Sequence, residues 1–256
     1  MTATVNPRVV GLYRYPVKGL SAEALERTLL KAGETIAFDR QWAIENGPGR
    51  FDETAPKHLP KVNFLMLMRD ERLATLTTLF DEATETLTIQ RAGKQVARGQ
   101  LTAKLGRTMI EQFVAAYMKD SLRGAPRIVF SPGHSFSDVA AKCVHLVNLA
   151  SLREVERSAG RPLNPLRFRP NIVIDGVEPW AELGWVGKTI TIGNVTLEAL
   201  KRTERCAATN VDPATGVRDI AVPAVLERRW GHSDFGIYLG VRNDAEIAVG
   251  DAVSGE

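Results

Sequence analysis

Cys206 ends the stretch Lys201-Arg202-Thr203-Glu204-Arg205-Cys206. Three cations so close to one thiol favour the thiolate, the form that attacks electrophiles and binds soft metals. The same stretch also fits a buried structural cysteine beside solvated charges, since free cysteine is among the most buried residue types. The other cysteine, Cys143, lies in the apolar run Val139 to Val147 and reads as core. Cys143 and His145 would share one face of a strand. None of the four histidines, however, shows the helical two-ligand spacing of a zinc enzyme.

Cations also recur at the ends of expected strands. Lys18 closes Tyr15-Pro16-Val17-Lys18, Arg40 lies in Asp39-Arg40-Gln41-Trp42, and Arg167 and Arg169 precede Pro170. Proline disfavours the helical conformation in the residue before it, so Arg169 is expected to be extended and consistently aimed. Converging guanidinium groups would make a fork-shaped phosphate site. Each of these cations alone is equally a surface charge at a strand end. No G-x-G-x-x-G follows a strand, and neither a P-loop nor a G-x-S-x-G occurs, so dinucleotide, P-loop nucleotide and serine-hydrolase chemistry lack support.

The elements that must position these residues read as a mixed α/β, predominantly β fold. Short apolar runs at Val9 to Tyr13, Leu25 to Leu30, Trp42 to Glu45, Val62 to Met68 and Leu87 to Ile89 suggest a barrel-like N-terminal subdomain. The period then changes. Ile110, Phe113, Val114 and Tyr117 share one helical face, and the helix should end near Asp120 to Gly124. Ile128 to Phe130 reads as a strand, and Ser151 with Glu154 as a capping box opening a helix that ends at Gly160. Strands follow at Asn171 to Ile174 and in a hairpin of Thr189 to Ile192 and Val195 to Leu200 about Gly193-Asn194. A helix over Ala221 to Arg229 and strands at Gly236 to Val241 and Glu246 to Val249 complete the reading. A domain boundary is expected near residue 96, dividing 1–96 from 97–256.

Composition closes off other classes. With 44% hydrophobic and 25% charged residues the chain is an ordinary globular protein, neither disordered nor fibrous. Its net charge of +3 lacks the dense basic face that nucleic acid or an anionic membrane requires. Aromatic residues are not interleaved with basic runs, which argues against a stacking platform for bases. Two cysteines without C-x-x-C spacing exclude a disulfide framework and a zinc ribbon. The polar N-terminus and the lack of a long apolar run point to a cytoplasmic protein without a membrane span.

Taken in order, several of these segments resemble the MOSC family with its N-terminal β-barrel partner. The resemblance rests on Tyr15-Pro16-Val17-Lys18, Asp39-Arg40 before Trp42, Phe168-Arg169-Pro170-Asn171-Ile172-Val173-Ile174, and Trp180 with Gly187. It continues through Arg205-Cys206, Val211-Asp212-Pro213, Thr215-Gly216, Phe235-Gly236-Ile237-Tyr238 and Gly250-Asp251. In character the chain looks most like the amidoxime-reducing components of mitochondria and their bacterial counterparts.

The resemblance implies an N-terminal β-barrel domain and a MOSC β-barrel with peripheral helices, holding a molybdenum cofactor (molybdopterin) between them. Cys206 would ligate molybdenum, and Lys18, Arg40 and Arg169 would contact phosphate and pterin, with Asn171 and Arg205 nearby. Asp212 would be the acidic group nearest the ligand, able to orient substrate or relay protons, although an Asp-Pro turn role is favoured. Trp180 and Trp185 would line a substrate wall or belong to the core. Relatives often have serine at the position of Gly19, a contact that Ser21 could replace.

The reaction implied is reduction of a small N-hydroxylated molecule, an amidoxime or hydroxylamine, to the amine. No four-cysteine iron–sulfur module is present, so electrons would come from a separate donor protein. Pyridoxal phosphate is not expected. Two alternatives share the same residues: a sulfur carrier using a Cys206 persulfide, and a non-catalytic carrier of the cofactor.

Overall fold

The computed structural model describes residues 6–47 and 49–255. The chain enters on β1 (Arg8–Arg14), with Val9 and Leu12 buried, and continues through β2 (Glu23–Leu25) and β3 (Arg27–Leu30). β4 (Trp42–Asn46) is buried at every position, which is why its sequence is a run rather than an alternation. A meander of β5 (Leu76–Asp81), β6 (Thr86–Arg91) and β7 (Lys94–Gln100) follows, then α1 (Lys104–Tyr117), which turns Ile110 and Val114 inward. β8 (Pro126–Phe130) returns to pair antiparallel with β4. Next come β9 (Val144–Asn148), α2 (Leu149–Ala159) and β10 (Ile172–Asp175), with β10 parallel to β9. The hairpin of β11 (Thr189–Ile192) and β12 (Val195–Glu204), α3 (Val222–Trp230), β13 (Asp234–Val241), β14 (Ala245–Ala248) and β15 (Val253–Gly255) complete the chain.

Strands dominate, as the sequence leads one to expect. The main sheet has eight strands in the order β15-β11-β12-β13-β9-β10-β1-β2. Ladder pairing does not close it into a barrel among the described residues. An isolated bridge between Arg8 and Ala252 ties its far side back to β1, supported by bonds from Gly250 N to Val9 O (2.9 Å) and from Val253 N to Pro7 O (3.0 Å). Residue 96 falls inside β7, and pairing runs across it. β1 lies between β10 and β2, β3 pairs with β14, and β4 pairs with β8. One apolar cluster lies against the main sheet around Leu146, Ile172 and Ile237. A second joins Trp42, Leu65 and Leu87 to α1.

Three local expectations need correction. Val62 to Met68 is not a strand: a 3-10 turn at Lys61–Asn63 leads into turns that bury Leu65 and Leu67 in the second cluster. α2 is capped by Asn148, whose side chain accepts from Ala150 N at 3.0 Å. Ser151 does not cap it, because its hydroxyl is spent on the buried carboxylate of Glu182 (2.7 Å). Finally, β5, β7 and β15 add strands that the apolar runs did not mark. Among the described residues no helix is long and apolar enough to cross a membrane.

Candidate functional site

Where the main sheet meets the β4 region, a cleft of about 460 Å³ opens between segments from both halves of the chain. Lys18, Arg40, Lys61, Arg169, Asn171, Arg205 and Cys206 all line it. Its lining carries eight lysines and arginines against four carboxylates, an excess of four where the whole chain has an excess of three. The positive charge is therefore concentrated here, and a concave wall of one sign raises the local concentration of anions.

The cations are held by the backbone as much as by each other. Arg40 and Arg169 both adopt the left-handed conformation at φ 52, which costs an ordinary residue about 1–2 kcal/mol. Arg169 is thus not extended as its proline neighbour suggests. It closes the 3-10 turn Pro165–Phe168, donating its N–H to Leu166 O at 3.0 Å. Both guanidinium groups stack on Tyr15, at 4.5 Å for Arg40 and 4.1 Å for Arg169. Arg40 pairs with Asp39 and donates to Arg169 O at 3.1 Å, while Arg169 Nη1 donates to Leu20 O at 2.8 Å. Burial pushes the Arg169 guanidinium down to about 10, still charged at neutral pH.

Lys18 donates to Phe136 O at 2.8 Å and pairs with Asp138. Burial opposes ionisation of Asp138, but Lys18, Lys61 and Arg40 outweigh it and hold the carboxyl well below the usual range. Gly19 explains its own identity. Its φ is +85, and a Cβ would lie 2.8 Å from Leu65 O, so serine does not fit this backbone. Ser21 does not replace it; its hydroxyl is bound to Thr78 at 2.7 Å.

Around the thiol, Arg205 donates to Phe168 O at 2.8 Å and meets His145 Nε2 at 3.4 Å. Burial, then Arg205, drives the His145 imidazole well below its ordinary value, so it is neutral. Because arginine only donates, Nε2 accepts and Nδ1 faces Arg169 O at 3.4 Å as the donor. β13 can press this close because residue 236 is glycine: a Cβ there would meet Leu146 O at 2.4 Å. Cys143 is buried and its thiol pushed up to about 11, consistent with a core role.

Cys206 opens the 3-10 turn Ala207–Asn210 and is half-buried. The cation on its sulfur is none of the three expected. Lys61 Nζ donates to Cys206 Sγ at 3.3 Å. Lys201 is over the Tyr238 ring, and Arg202 bonds Leu183 O at 3.1 Å, because neighbouring residues on a strand face opposite ways. Nothing in the local sequence around Lys61 marks it; its partner is brought up by the fold.

Two expected site residues have side chains engaged by the protein itself. Asn171 touches it but spends its amide on the backbone, accepting from His145 N at 3.0 Å and donating to Tyr13 O at 3.1 Å. Asp212 does not line it. Its carboxylate accepts from Ala214 N at 2.8 Å and pairs with Arg167 at 3.2 Å, the turn role. Trp180 and Trp185 pack in the core.

The polar atoms left over fit a molybdopterin. Arg169 Nη2, Arg205 Nε and Thr203 Oγ1 are buried without a partner, and all three residues line the cleft. Orphaned buried donors are rare unless a ligand satisfies them. An anionic, oxygen- and nitrogen-rich group with a sulfur-seeking metal meets each of these features.

Comparison with known proteins shows the family. The model of the MOSC domain matches residues 128–254, and that of the MOSC N-terminal beta barrel domain matches residues 6–123. The chain belongs to this MOSC family. It is 24% identical to the mouse (Mus musculus) "Mitochondrial amidoxime-reducing component 1", over 96% of this chain and 81% of that protein. It is 31% identical to the human (Homo sapiens) "Mitochondrial amidoxime reducing component 2" over 41% of this chain and 34% of that one. A shorter match, 41% identical, is to the "Molybdenum cofactor sulfurase" of Arabidopsis thaliana, over 38% of this chain and 13% of that protein.

Proposed function

We propose that the protein is a cytoplasmic oxidoreductase that binds the molybdenum cofactor in this cleft and reduces small N-hydroxylated molecules, fed by a separate electron-donor protein. The observation that carries this reading is that one cleft is lined both by Cys206 and by residues, among them Arg169, Arg205 and Thr203, that hold buried donors without partners. Reduction of an amidoxime to an amidine takes two electrons and two protons and releases one water. The bound cofactor would supply the two-electron chemistry, which no side chain offers.

The chain's own residues bind and orient. Cys206 would hold the metal through its sulfur. Lys18, Arg40 and Arg169 would hold the phosphate and pterin, with Arg205 beside them. Neutral His145 keeps Arg205 turned toward the cleft without adding a like charge. Among the described residues no group of three His, Cys, Asp or Glu side chains is placed to hold a metal ion. A metal held by Cys206 would thus take its other ligands from the cofactor.

The test is metal and pterin analysis of protein made in a host that supplies the cofactor, with Cys206→Ala alongside. We expect stoichiometric molybdenum in the wild type, at least about tenfold less in the variant, and reduction of benzamidoxime with an artificial donor by the wild type alone. Equal molybdenum in both proteins would overturn the ligand assignment. Cyanide-labile sulfur on Cys206 with no molybdenum would favour the sulfur carrier.

A further inference from the structure

Lys61 comes from the 3-10 turn Lys61–Asn63 in the N-terminal half, yet its ammonium is 3.3 Å from Cys206 Sγ and 3.6 Å from Asp138. An ammonium has three N–H donors. The sulfur takes one, the carboxylate at 3.6 Å is an ion pair beyond hydrogen-bond distance, and among the described residues no other protein group accepts from this ammonium, although Lys61 lines the cleft. Of the other cations that line the cleft, Arg205 donates to Phe168 O, Arg40 pairs with Asp39, Lys18 pairs with Asp138, Arg202 faces Asp234 and Lys201 lies over the Tyr238 ring.

Resting on the reductase reading above, we propose that Lys61 determines specificity in this site. Its ammonium binds the oxygen of the substrate's N–O group beside Cys206, and Asp138 positions it there. The chemistry suits one charge doing two things. An amidoxime is neutral and presents an oxygen that gains negative charge as the N–O bond breaks. The amidine formed is a strong base and leaves as a cation. The same ammonium therefore attracts the oxygen of the substrate and repels the product. Asp138 pairs with both Lys18 and Lys61, so one carboxylate aligns two cations of the cleft.

Two measurements test this. In the cofactor-free protein, Cys206 is alkylated with iodoacetate and with iodoacetamide, and the ratio of the two rates is followed by mass spectrometry of its peptide. The ratio cancels the thiolate fraction and reports the local charge. It should fall by about fivefold in Lys61→Met, the effect of one unit charge roughly 4 Å away under water-like screening. Lys61→Arg should keep it and Asp138→Asn should raise it, so the sign is readable even where one variant folds poorly.

In the cofactor-loaded enzyme, Lys61→Met should raise KM for benzamidoxime and strengthen inhibition by benzamidine, each about fivefold, with molybdenum content unchanged. A ratio that stays within twofold of wild type, or unchanged benzamidine inhibition, would overturn the proposal. If the ratio shifts but loaded wild-type enzyme does not reduce benzamidoxime, the reductase reading falls and takes the substrate assignment with it.

Discussion

Arg169 combines a left-handed backbone, a stack on Tyr15 and a buried Nη2 without a partner. Its planar fork cannot be reproduced by an ammonium. Arg169→Lys should therefore lower pterin content about tenfold, the loss of one or two charge-assisted hydrogen bonds, while circular dichroism stays native. Asp212→Asn is the control: pterin content should stay within twofold, since its carboxylate faces Arg167 and the turn. At this scale the sequence was legible where a residue's type alone carried the chemistry. Lys18, Arg40, Arg169, Arg205 and Cys206 do meet. Lys61 was not legible, because a lone lysine before an apolar run has no local signature and its sulfur partner lies 145 positions away.

The start of α2 shows why an element can be foreseen while its cap is not. Ser151 and Glu154 have the spacing of a capping box, but the helix begins three residues earlier at Asn148. Glu182 is buried, and burial raises its carboxyl; it accepts from Asn148 at 3.0 Å and from Ser151 at 2.7 Å. Removing one donor leaves a buried carboxylate short of partners. Ser151→Ala should cost about 1–3 kcal/mol, read as a lower midpoint in urea at unchanged slope. The hairpin about Gly193-Asn194 was visible because its turn chemistry is local. β7 was not, because it is exposed at most positions and carries no apolar run.

Across the whole molecule, neutral buried His145 links stability to pH. Its folded value lies well below 6.5, whereas in the unfolded chain it protonates near about 6.5. The unfolded state therefore binds the extra proton first as pH falls. The stabilisation is complete above about 6.5 and is lost progressively below it. His134, also lowered by burial, acts in the same direction. The thermal midpoint should fall between pH 7 and pH 5 by more in the wild type than in His145→Gln; equal slopes would remove His145 as the cause.

The place of β1 has a temporal consequence. It sits between β10 and β2, and its first residues bond to the segment around Asp251. A ribosome releases Arg8 long before Ile172 and Ala252, so β1 can pair with β2 at once but must wait on its other edge for β10 and the segment around Asp251. Lys18 and Arg40 are translated early and Cys206 late. The cleft therefore cannot exist until the segment carrying Cys206 has been made, and any cofactor must enter after that point.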